Sequence, residues 1–432
     1  MTRTEARANL GSPGDAVSAA LQAEQVARAS YGRLVALLAA PTGDIQLAED
    51  CLGDAFARAL RTWPDTGVPA NPEGWLLTVA RNRQRDVFRS AAQRATTRFD
   101  DPVEATAAAI VAEVDPDEIP DRRLALLFVC AHPAIEPLVR TPLMLQTVLG
   151  FDARSIARAF AIPEPTLAQR LVRAKRRIRD TRVPFSVPDR GRMPGRLAHV
   201  LEAIYGAYAI EWQLASGVTV RESFAAEAHY LAVTLAELVP DQPEALGLAA
   251  LVSLSLSRAP ARRSPNDYVP LEEQDTAQWD AALIAEGERY LERARALSRV
   301  GRFQLEAAIQ SVHCARAATG FTDWAALRKL YLALVSIAPT LGAQVALAAT
   351  IGRAEGPERG LVALDGISHP GLQRFQPAWA TRAHLLQRAA RLDEAGWAYL
   401  KAISLTTEAG VRRYLEARRT ALSEAAGTPP TP

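Results

Sequence analysis

Apolar residues recur at three- and four-residue spacings over most of this 432-residue chain, which is the periodicity of helices that bury one face. Runs in which apolar and polar residues alternate, as in half-buried strands, are rare. Apolar residues make up 49% of the chain, which is enough for two or three units with cores of their own. We therefore predict an all-α fold, in which two small helical domains precede a larger domain of helical repeats.

Breaks in the helical pattern divide the chain into five segments. Residues 100–121 carry eight acidic side chains and no Lys or Arg, a composition typical of a poorly packed linker. A second break is rich in proline. We predict a helical domain, an acidic linker, a second helical domain, a Pro-rich joint and a helical-repeat domain at residues 16–98, 99–121, 122–182, 183–195 and 196–426.

A helix-turn-helix pattern occupies the end of the second predicted domain, around the turn Ile162-Pro163-Glu164-Pro165. Apolar residues of its second helix share one stripe, at Leu167, Leu171, Ala174 and Ile178. From Glu164 to Arg182, seven basic residues against two acidic ones give a net charge of +5, whereas the whole chain carries +2. Such a helix can enter the major groove of duplex DNA; the alternative is a solvated basic helix. The candidate DNA contacts are Gln169, Arg170, Arg173, Lys175, Arg176 and Arg177.

A second basic helix is predicted to begin at Asn71, which caps it, with Pro72 at its first position. Trp63 and Trp75 flank the loop before it. Aromatic rings stack on unpaired bases, and guanidinium groups hold the adjoining phosphates, so this helix can bind single-stranded nucleic acid. The alternative is that both tryptophans belong to the core. The candidate residues are Trp75, Arg81, Asn82, Arg85 and Arg89.

The helix predicted before that loop, residues 47–60, carries charges of both signs on one side. Asp50, Asp54, Arg58 and Arg61 follow one another at spacings of four, four and three. Its opposite face is predicted to bury Ala48, Cys51, Leu52, Ala55, Phe56 and Ala59. The charged stripe can dock a protein partner through charge pairs, or it is simply solvated.

The predicted C-terminal domain begins with an amphipathic helix over residues 197–212. Near its end, Ala395, Tyr399 and Ala402 have the spacing of the second helix of a tetratricopeptide repeat, with Ala383 on the helix before. Stacked helix hairpins of that kind form a curved solenoid with a groove for a peptide or another domain. The alternative is an irregular helical bundle.

No motif in the chain indicates catalysis, and we expect neither enzyme activity nor a cofactor. A phosphate-binding Gly loop, a HExxH motif and a metal-spaced His/Cys cluster are absent from the sequence. Cys51, Cys130 and Cys314 each lie in an apolar helical pattern and are predicted to be buried thiols of a reducing compartment. The uncharged stretch at residues 330–351 is predicted to turn at Ala338-Pro339-Thr340 rather than to cross a membrane. With no signal-like segment at its start, the chain is expected to be cytoplasmic.

Three motifs in order, DIQLAEDCLGDAFARALRTWP, NPEGWLLTVARNRQRDVFR and SIARAFAIPEPTLAQRLVRAKRRI, resemble the two obligatory domains of bacterial RNA polymerase sigma factors of the extracytoplasmic-function (ECF) group. LFVCAHPAI and EALGLAAL with QWDAALIAEG are similar to the subgroup that adds a tetratricopeptide-like C-terminal domain. The resemblance implies core RNA polymerase and promoter DNA as partners, and a protein partner for the C-terminal domain. The order and spacing of these motifs across two domains make the resemblance specific.

The resemblance also implies a role for each candidate residue. The helix at residues 45–61 corresponds to the one that docks on the polymerase clamp, which makes Asp50, Asp54, Phe56 and Arg58 candidate polymerase contacts. Residues 62–89 correspond to the part that reads and melts the minus-ten element. Residues 166–177 correspond to the helix that enters the minus-thirty-five major groove, where Gln169 pairs with adenine, Arg170 or Arg173 with guanine, and Lys175 and Arg176 hold phosphates.

The sequence departs from the resembling family at three places. Ala161 stands where the turn commonly has Gly, and Ala209-Ile-Glu-Trp212 and Leu347-Ala348 replace an Asn-Glu-Gly run and an Asn-Arg pair. A helix-turn-helix regulator with a helical sensor domain is the main alternative, although it leaves the Trp63 to Arg89 segment without a purpose. A scaffold in which the basic helices are incidental is another.

Overall fold

The structure, a computed structural model, describes residues 30–95, 119–160, 162–186, 188, 193–213, 220–264 and 267–425. Within these ranges the chain is built of helices, with one antiparallel pair of two-residue strands, Arg263–Ser264 and Asp267–Tyr268. The predicted all-α fold is confirmed. Several predicted segments lie outside the described residues. They are the start of the first predicted domain (residues 16–29), most of the acidic linker, Ala161 and part of the Pro-rich joint. No helix in the described part combines the length and apolar character needed to cross a membrane.

Contacts divide the chain into two units. The first contains α1 (residues 30–39), α2 (Ile45–Thr66), α3 (Pro72–Ala95), α4 (Ile119–Cys130), α5 (Pro137–Thr147), α6 (Ala153–Ala159) and α7 (Glu164–Asp180). α8 (Pro194–Gln213) belongs to it as far as Ala207, and α9 (Val220–Leu238) as far as Glu227.

Local capping explains where several helices of the first unit begin. Asp44 accepts a hydrogen bond from the backbone N–H of Leu47 at 3.1 Å, and Asp152 accepts one from Ser155 at 2.8 Å. Asn71 accepts from the N–H of Gly74 at 2.8 Å, with Pro72 as the first residue of α3. The cap predicted at Asn71 is therefore confirmed.

The loop predicted between Trp63 and Trp75 begins later than expected, because α2 continues through Pro64 to Thr66. Pro64 lies in the last turn, where its missing N–H leaves only the carbonyl of Leu60 without its helical donor. Leu60 is 51% exposed, so water can take that place. α2 ends at Gly67, whose φ of 78° lies in the left-handed region that glycine adopts freely.

The first unit buries the faces that the periodicity predicts. α2 packs against α3, α6 against α7, and α5 and α2 also contact α7. The apolar stripe of α7, Leu167, Leu171, Ala174 and Ile178, is buried as predicted. A fully buried leucine contributes about 1.5–3 kcal/mol, so this stripe holds the helix in place. Phe56, predicted to face inward on α2, is only half-buried.

The first unit extends past the boundary predicted at residue 196. Arg196 donates to the carbonyl oxygen of Phe128 at 3.3 Å, and Arg140 lies 2.8 Å from His199. Arg123 pairs with Glu227. The charges of these buried arginines need partners, and their contacts join α4 and α5 to α8 and α9.

The second unit comprises residues 208–213 and the chain from Ala228 onward, within the described ranges. Its helices are α10 (Pro243–Leu256), α11 (Ala281–Ala296), α12 (Arg302–Cys314), α13 (Arg316–Thr319), α14 (Trp324–Ile337), α15 (Leu341–Ala354), α16 (Pro357–Asp365), α17 (Gln376–Arg388), α18 (Leu392–Leu405) and α19 (Ala409–Ala425). Short 3₁₀ turns occur at Pro260–Arg262, Leu271–Glu273, Thr276–Gln278 and Leu372–Arg374.

Helices of the second unit pack mainly against their neighbours along the chain. α10 contacts α11 and α12, and from α14 to α19 each helix contacts the next. α15 and α16 cross closely at two glycines, where a Cβ added to Gly360 would lie 2.7 Å from the Cα of Gly352. The turn predicted at Ala338-Pro339-Thr340 separates α14 from α15 and is confirmed. Such sequential packing is typical of helical repeats.

Candidate nucleic-acid interface

The outer face of α7 presents most of the residues predicted to contact duplex DNA. Gln169, Arg173, Arg176 and Arg177 are exposed, and Arg170 is half-buried. The helix begins at Glu164, which pairs with Arg154 of α6 at 3.5 Å. The helix-turn-helix is thus present, with its polar side chains opposite the buried stripe.

Lys175 is the exception, and its predicted phosphate contact does not fit this structure. Its side chain is 7% exposed, and its Nζ lies 2.5 Å from Oε2 of Glu49 on α2 and 2.9 Å from Oε1 of Gln146 on α5. Lys175 follows Leu171 by four residues, which places it at the edge of the buried stripe, facing α2 and α5. An ammonium group held in this way cannot reach DNA.

Glu49 and Lys175 form a buried ion pair between α2 and α7. Burial raises the pKa of Glu49, and the charge and hydrogen bond of Lys175 oppose that rise. A second pair joins the same elements at the surface, where Arg179 of α7 lies 3.6 Å from Asp44, the cap of α2. The sequence pattern contained no signal for either contact.

The two tryptophans near the start of α3 have different environments. Trp63 is 2% exposed, so the alternative of a core residue is confirmed for it. Trp75 is half-buried, and the two rings meet edge to face with centroids 5.5 Å apart. This contact holds the two rings together, and Trp75 remains partly exposed to solvent.

The basic residues of α3 form a cationic surface beside Trp75. Arg81 and Arg85 are half-buried, whereas Asn82 and Arg89 are exposed. Arg85 donates to Oδ1 of Asn82 at 3.2 Å. The pKa of Arg81 is lowered by burial and by the like charges of Arg85 and Arg122. Arginine stays protonated despite such a shift, so the mutual repulsion makes the surface attractive to anions.

The charged stripe of α2 is exposed but partly paired. Asp50, Asp54 and Arg58 are exposed. Asp54 accepts a hydrogen bond from Nε of Arg83 on α3 at 2.8 Å, and Asp50 accepts one from Gln46 at 2.9 Å.

Leu60 is a surface residue of α2 that the sequence reasoning missed. It is 51% exposed and follows the half-buried Phe56 by four residues, on the same side of the helix. Its exposure could have been predicted from the sequence, because Leu60 precedes the charged Arg61 in an amphipathic pattern. Phe56 and Leu60 thus form a partly exposed apolar edge beside the charged side of α2, and such an edge is typical of a protein-docking surface.

Two parts of the chain match known families. Residues 26–94 match sigma-70 region 2, which covers α2 and nearly all of α3. Residues 196–295 match a family of unknown function, DUF6596, and not a tetratricopeptide repeat family. No solved structure matches the chain.

Two relatives extend this comparison. The chain is 32% identical over 377 residues to "Uncharacterized protein R00370" of Rhizobium meliloti, across 86% of this chain and 89% of that protein. It is 32% identical over 167 residues to "Probable ECF RNA polymerase sigma factor SigI" of Mycobacterium tuberculosis, across 37% of this chain and 55% of that protein. The chain therefore belongs to one family with the Rhizobium meliloti protein, and its region 2 supports a role as a sigma factor.

Proposed function

We propose that this chain is an ECF-type sigma factor that binds core RNA polymerase and directs it to specific promoters. One observation carries the proposal: a sigma-70 region 2 is followed, in the same unit, by a helix-turn-helix whose second helix exposes Gln169, Arg173, Arg176 and Arg177. A protein that reads two promoter elements needs both modules. We propose that the chain catalyses no reaction by itself.

In this proposal α7 reads the minus-thirty-five element. Gln169 and Arg173 lie on the exposed face in the first half of the helix, where recognition helices meet base edges. Gln169 pairs with adenine, and Arg173 or Arg170 with guanine. Arg176 and Arg177 hold phosphates, and Lys175 contributes only when its pair with Glu49 is broken.

Trp75 and the basic face of α3 bind the minus-ten element after its strands separate. The ring of Trp75, backed by Trp63, stacks on an unpaired base. Arg81, Arg85 and Arg89 neutralise the backbone, and Asn82 offers an amide to a base or sugar.

The stripe on α2 is proposed to dock on core polymerase. Phe56 and Leu60 supply apolar area, and Asp50, Asp54 and Arg58 supply charge pairs around it. Region 2 matches this helix in full.

Promoter binding requires that α7 separate from α2. The minus-ten and minus-thirty-five elements lie about 25 base pairs apart, which at about 3.4 Å per base pair is about 85 Å. α3, with its 24 residues, is only about 36 Å long. While α7 packs against α2, the two reading helices are therefore too close together to reach both elements. Because Glu49 and Lys175 are in contact at 2.5 Å, the described conformation is a closed one that polymerase has to open.

The second unit is proposed to be a tetratricopeptide-like domain that modulates the factor or binds a protein partner. In the hairpin of α17 and α18, Ala383, Ala395, Tyr399 and Ala402 are buried in one cluster, as the repeat spacing requires. Gly360→Ala should disturb this unit, because the new Cβ meets backbone at 2.7 Å, whereas Gly342→Ala meets nothing within 4 Å. We expect Gly360→Ala to change transcription several-fold without altering the preferred promoter, and Gly342→Ala to be neutral.

Run-off transcription with core polymerase on genomic fragments tests the proposed function. The full chain should start transcripts at a defined set of promoters, and core polymerase alone should not. Arg176→Ala should reduce all of them, and Arg295→Ala, on an exposed face of the second unit, should reduce none. If the chain supports no transcript but binds duplex tightly by itself, it is a helix-turn-helix regulator with a helical sensor domain.

A further inference from the structure

A short segment crosses from the early part of the second unit to its last helices. We name residues 267–274 the strap. Arg316 of α13 donates to the carbonyl oxygens of Glu272 at 2.9 Å and Gln274 at 2.8 Å. Arg353 of α15 pairs with the carboxylate of Glu272. The strap is thus fastened to two helices by charge-assisted hydrogen bonds.

A third attachment joins the strap to the last described helix. Tyr268 meets Tyr414 of α19 edge to face, with ring centroids 5.8 Å apart. The strap therefore spans elements that are far apart in sequence. It contacts α13, α15 and α19.

A cavity of about 480 Å³ lies beneath the strap. Its volume is within the range of sites that hold small organic molecules. Leu271 and Glu272 of the strap line one side, and α14, α15, α17, α18 and α19 line the rest. Because the strap closes this side, the cavity suits a compact molecule better than an extended peptide.

The floor of the cavity combines an imidazole with guanidinium groups. Nε2 of His384 is inaccessible to solvent and has no hydrogen-bond partner among the described residues. Burial, together with the charges of Arg353, Arg388 and Arg418, lowers the pKa of His384 to about 4. The ring is therefore neutral at pH 7, in a strongly positive environment. A buried polar atom without a partner is costly, and a ligand atom can satisfy it.

Two arginines of the cavity differ in their partners. Arg353 is neutralised by Glu272 and lies over the ring of Trp324, 5.5 Å from its centroid. Arg418 donates to a neutral acceptor, the amide oxygen of Gln387, at 3.3 Å. Arg418 also shares a side-chain hydrogen bond with Tyr399, and Glu273, which lines the cavity as well, acts on Arg418 through its charge. Arg418 is thus the group to which a ligand anion adds most.

The remaining walls are apolar and aromatic. Trp324, Tyr399 and Tyr414 line the cavity together with Leu385 and Leu415. Aromatic rings favour a flat or aromatic ligand body through edge and face contacts. A carboxylate at one end of such a body would meet Arg418 in the cavity wall, and also His384 once its ring turns the buried Nε2 towards the ligand.

We propose that the second unit binds a small aromatic carboxylic acid in this cavity, with the carboxylate on Arg418 and His384 and the ring among Trp324, Tyr399 and Tyr414. The site rests on the geometry of the second unit alone. It is therefore independent of the role proposed for the first unit.

Calorimetric titration of the full chain tests this proposal with three probes, indole-3-acetate, 3-phenylpropionate and 1-naphthoate. Each is compared with its own primary amide, which has the same shape and no charge. We expect at least one acid to bind with a stoichiometry of one and to raise Tm. Its amide should bind about tenfold to hundredfold more weakly, because hydrogen bonds to a charged group are stronger than neutral ones.

Variants locate the binding site. Arg418→Met should weaken binding of the acid about tenfold to hundredfold and leave that of the amide nearly unchanged. Ala349→Phe, which fills the cavity, should abolish both. Arg295→Met, on an exposed arginine paired with Glu292, is the matched control and should bind normally. Circular dichroism identifies a variant that fails to fold, and Arg418→Lys, which keeps the charge, then replaces Arg418→Met with a smaller expected loss.

Three outcomes overturn the proposal. The first is that none of the three acids binds at millimolar concentration. The second is that an acid and its amide bind equally, and the third is that binding persists unchanged in Ala349→Phe. Displacement of a bound acid by an extended acidic peptide would instead show that the strap opens and that the natural occupant is a peptide.

Discussion

α7 of the first unit and the cavity of the second unit use their cations in opposite ways. The arginines of α7 face outward, opposite a buried apolar stripe. In the second unit, Arg353 and Arg418 line a cavity beside a neutral imidazole. An outward array suits a polyanion whose phosphates recur along a surface, whereas an inward pair suits one small anion that can be enclosed. Lys175 breaks the pattern of the first unit, because its charge is captured by Glu49.

The largest effect on stability should come from breaking the ion pair between Glu49 and Lys175. Glu49→Ala leaves Lys175 as a buried charge without its partner and should lower the free energy of unfolding by about 3–5 kcal/mol. The double variant Glu49→Leu with Lys175→Met should recover most of this loss. Urea denaturation measures the change, and hydrogen exchange of α2 and α7 peptides shows whether these helices separate. Equal stability of Glu49→Ala and the native chain would mean that α7 does not rest on α2 in solution.

Trp75→Ala should leave binding of the double-stranded promoter unchanged and should reduce the separation of its strands. Loss of one stacked base costs about 1–3 kcal/mol. Permanganate reactivity of thymines in the polymerase complex measures opening. Trp397→Ala serves as the control, since Trp397 is 75% exposed in the second unit. Unchanged thymine reactivity in a folded Trp75→Ala variant would return this ring to a purely structural role.

Gln169→Ala and Arg176→Ala separate base reading from phosphate binding on the same helix face. Gln169→Ala should relax preference at one or two base pairs, each worth about 1–3 kcal/mol. Arg176→Ala should weaken every sequence alike and lower the salt slope by about one unit. Binding of the polymerase complex to a set of single-base promoter variants at several salt concentrations distinguishes the two. A uniform loss for Gln169→Ala would contradict its proposed contact.

The smallest effect concerns acid stability of the second unit. Burial and neighbouring arginines lower the pKa of His384 to about 4 and that of His313 to about 3. The unfolded chain therefore binds protons below pH 6.5 that the folded unit does not, and stability falls as pH drops from about 6.5 towards 4. Tm measured across this range should decrease, and His384→Gln should reduce the slope. A Tm that is constant down to pH 4.5 would show that these rings are hydrated and titrate normally.

The periodicity predicted the helices and their buried faces well because those features are local. The stripe of α7, the cap at Asn71 and the turn after Ile337 all follow from residues within one or two turns of each other. α2 continues past Pro64 because a proline near a helix end costs less than one in the middle. The match to DUF6596 begins at the predicted boundary, residue 196, whereas α8 as far as Ala207 groups with the first unit by its contacts.

The sequence by itself determined the all-α fold, the order of the two basic helices α3 and α7, and most of the cations they expose. Only the tertiary structure decided that Lys175 pairs with Glu49, 126 residues away, and that Asp54 pairs with Arg83. It also decided that the strap crosses to Arg353 and Tyr414 and lines one side of a cavity. A periodic pattern specifies which face of a helix is buried but not which helix lies against it. Long-range charge pairs and cavities depend on that second choice, so they appear only when the helices are packed.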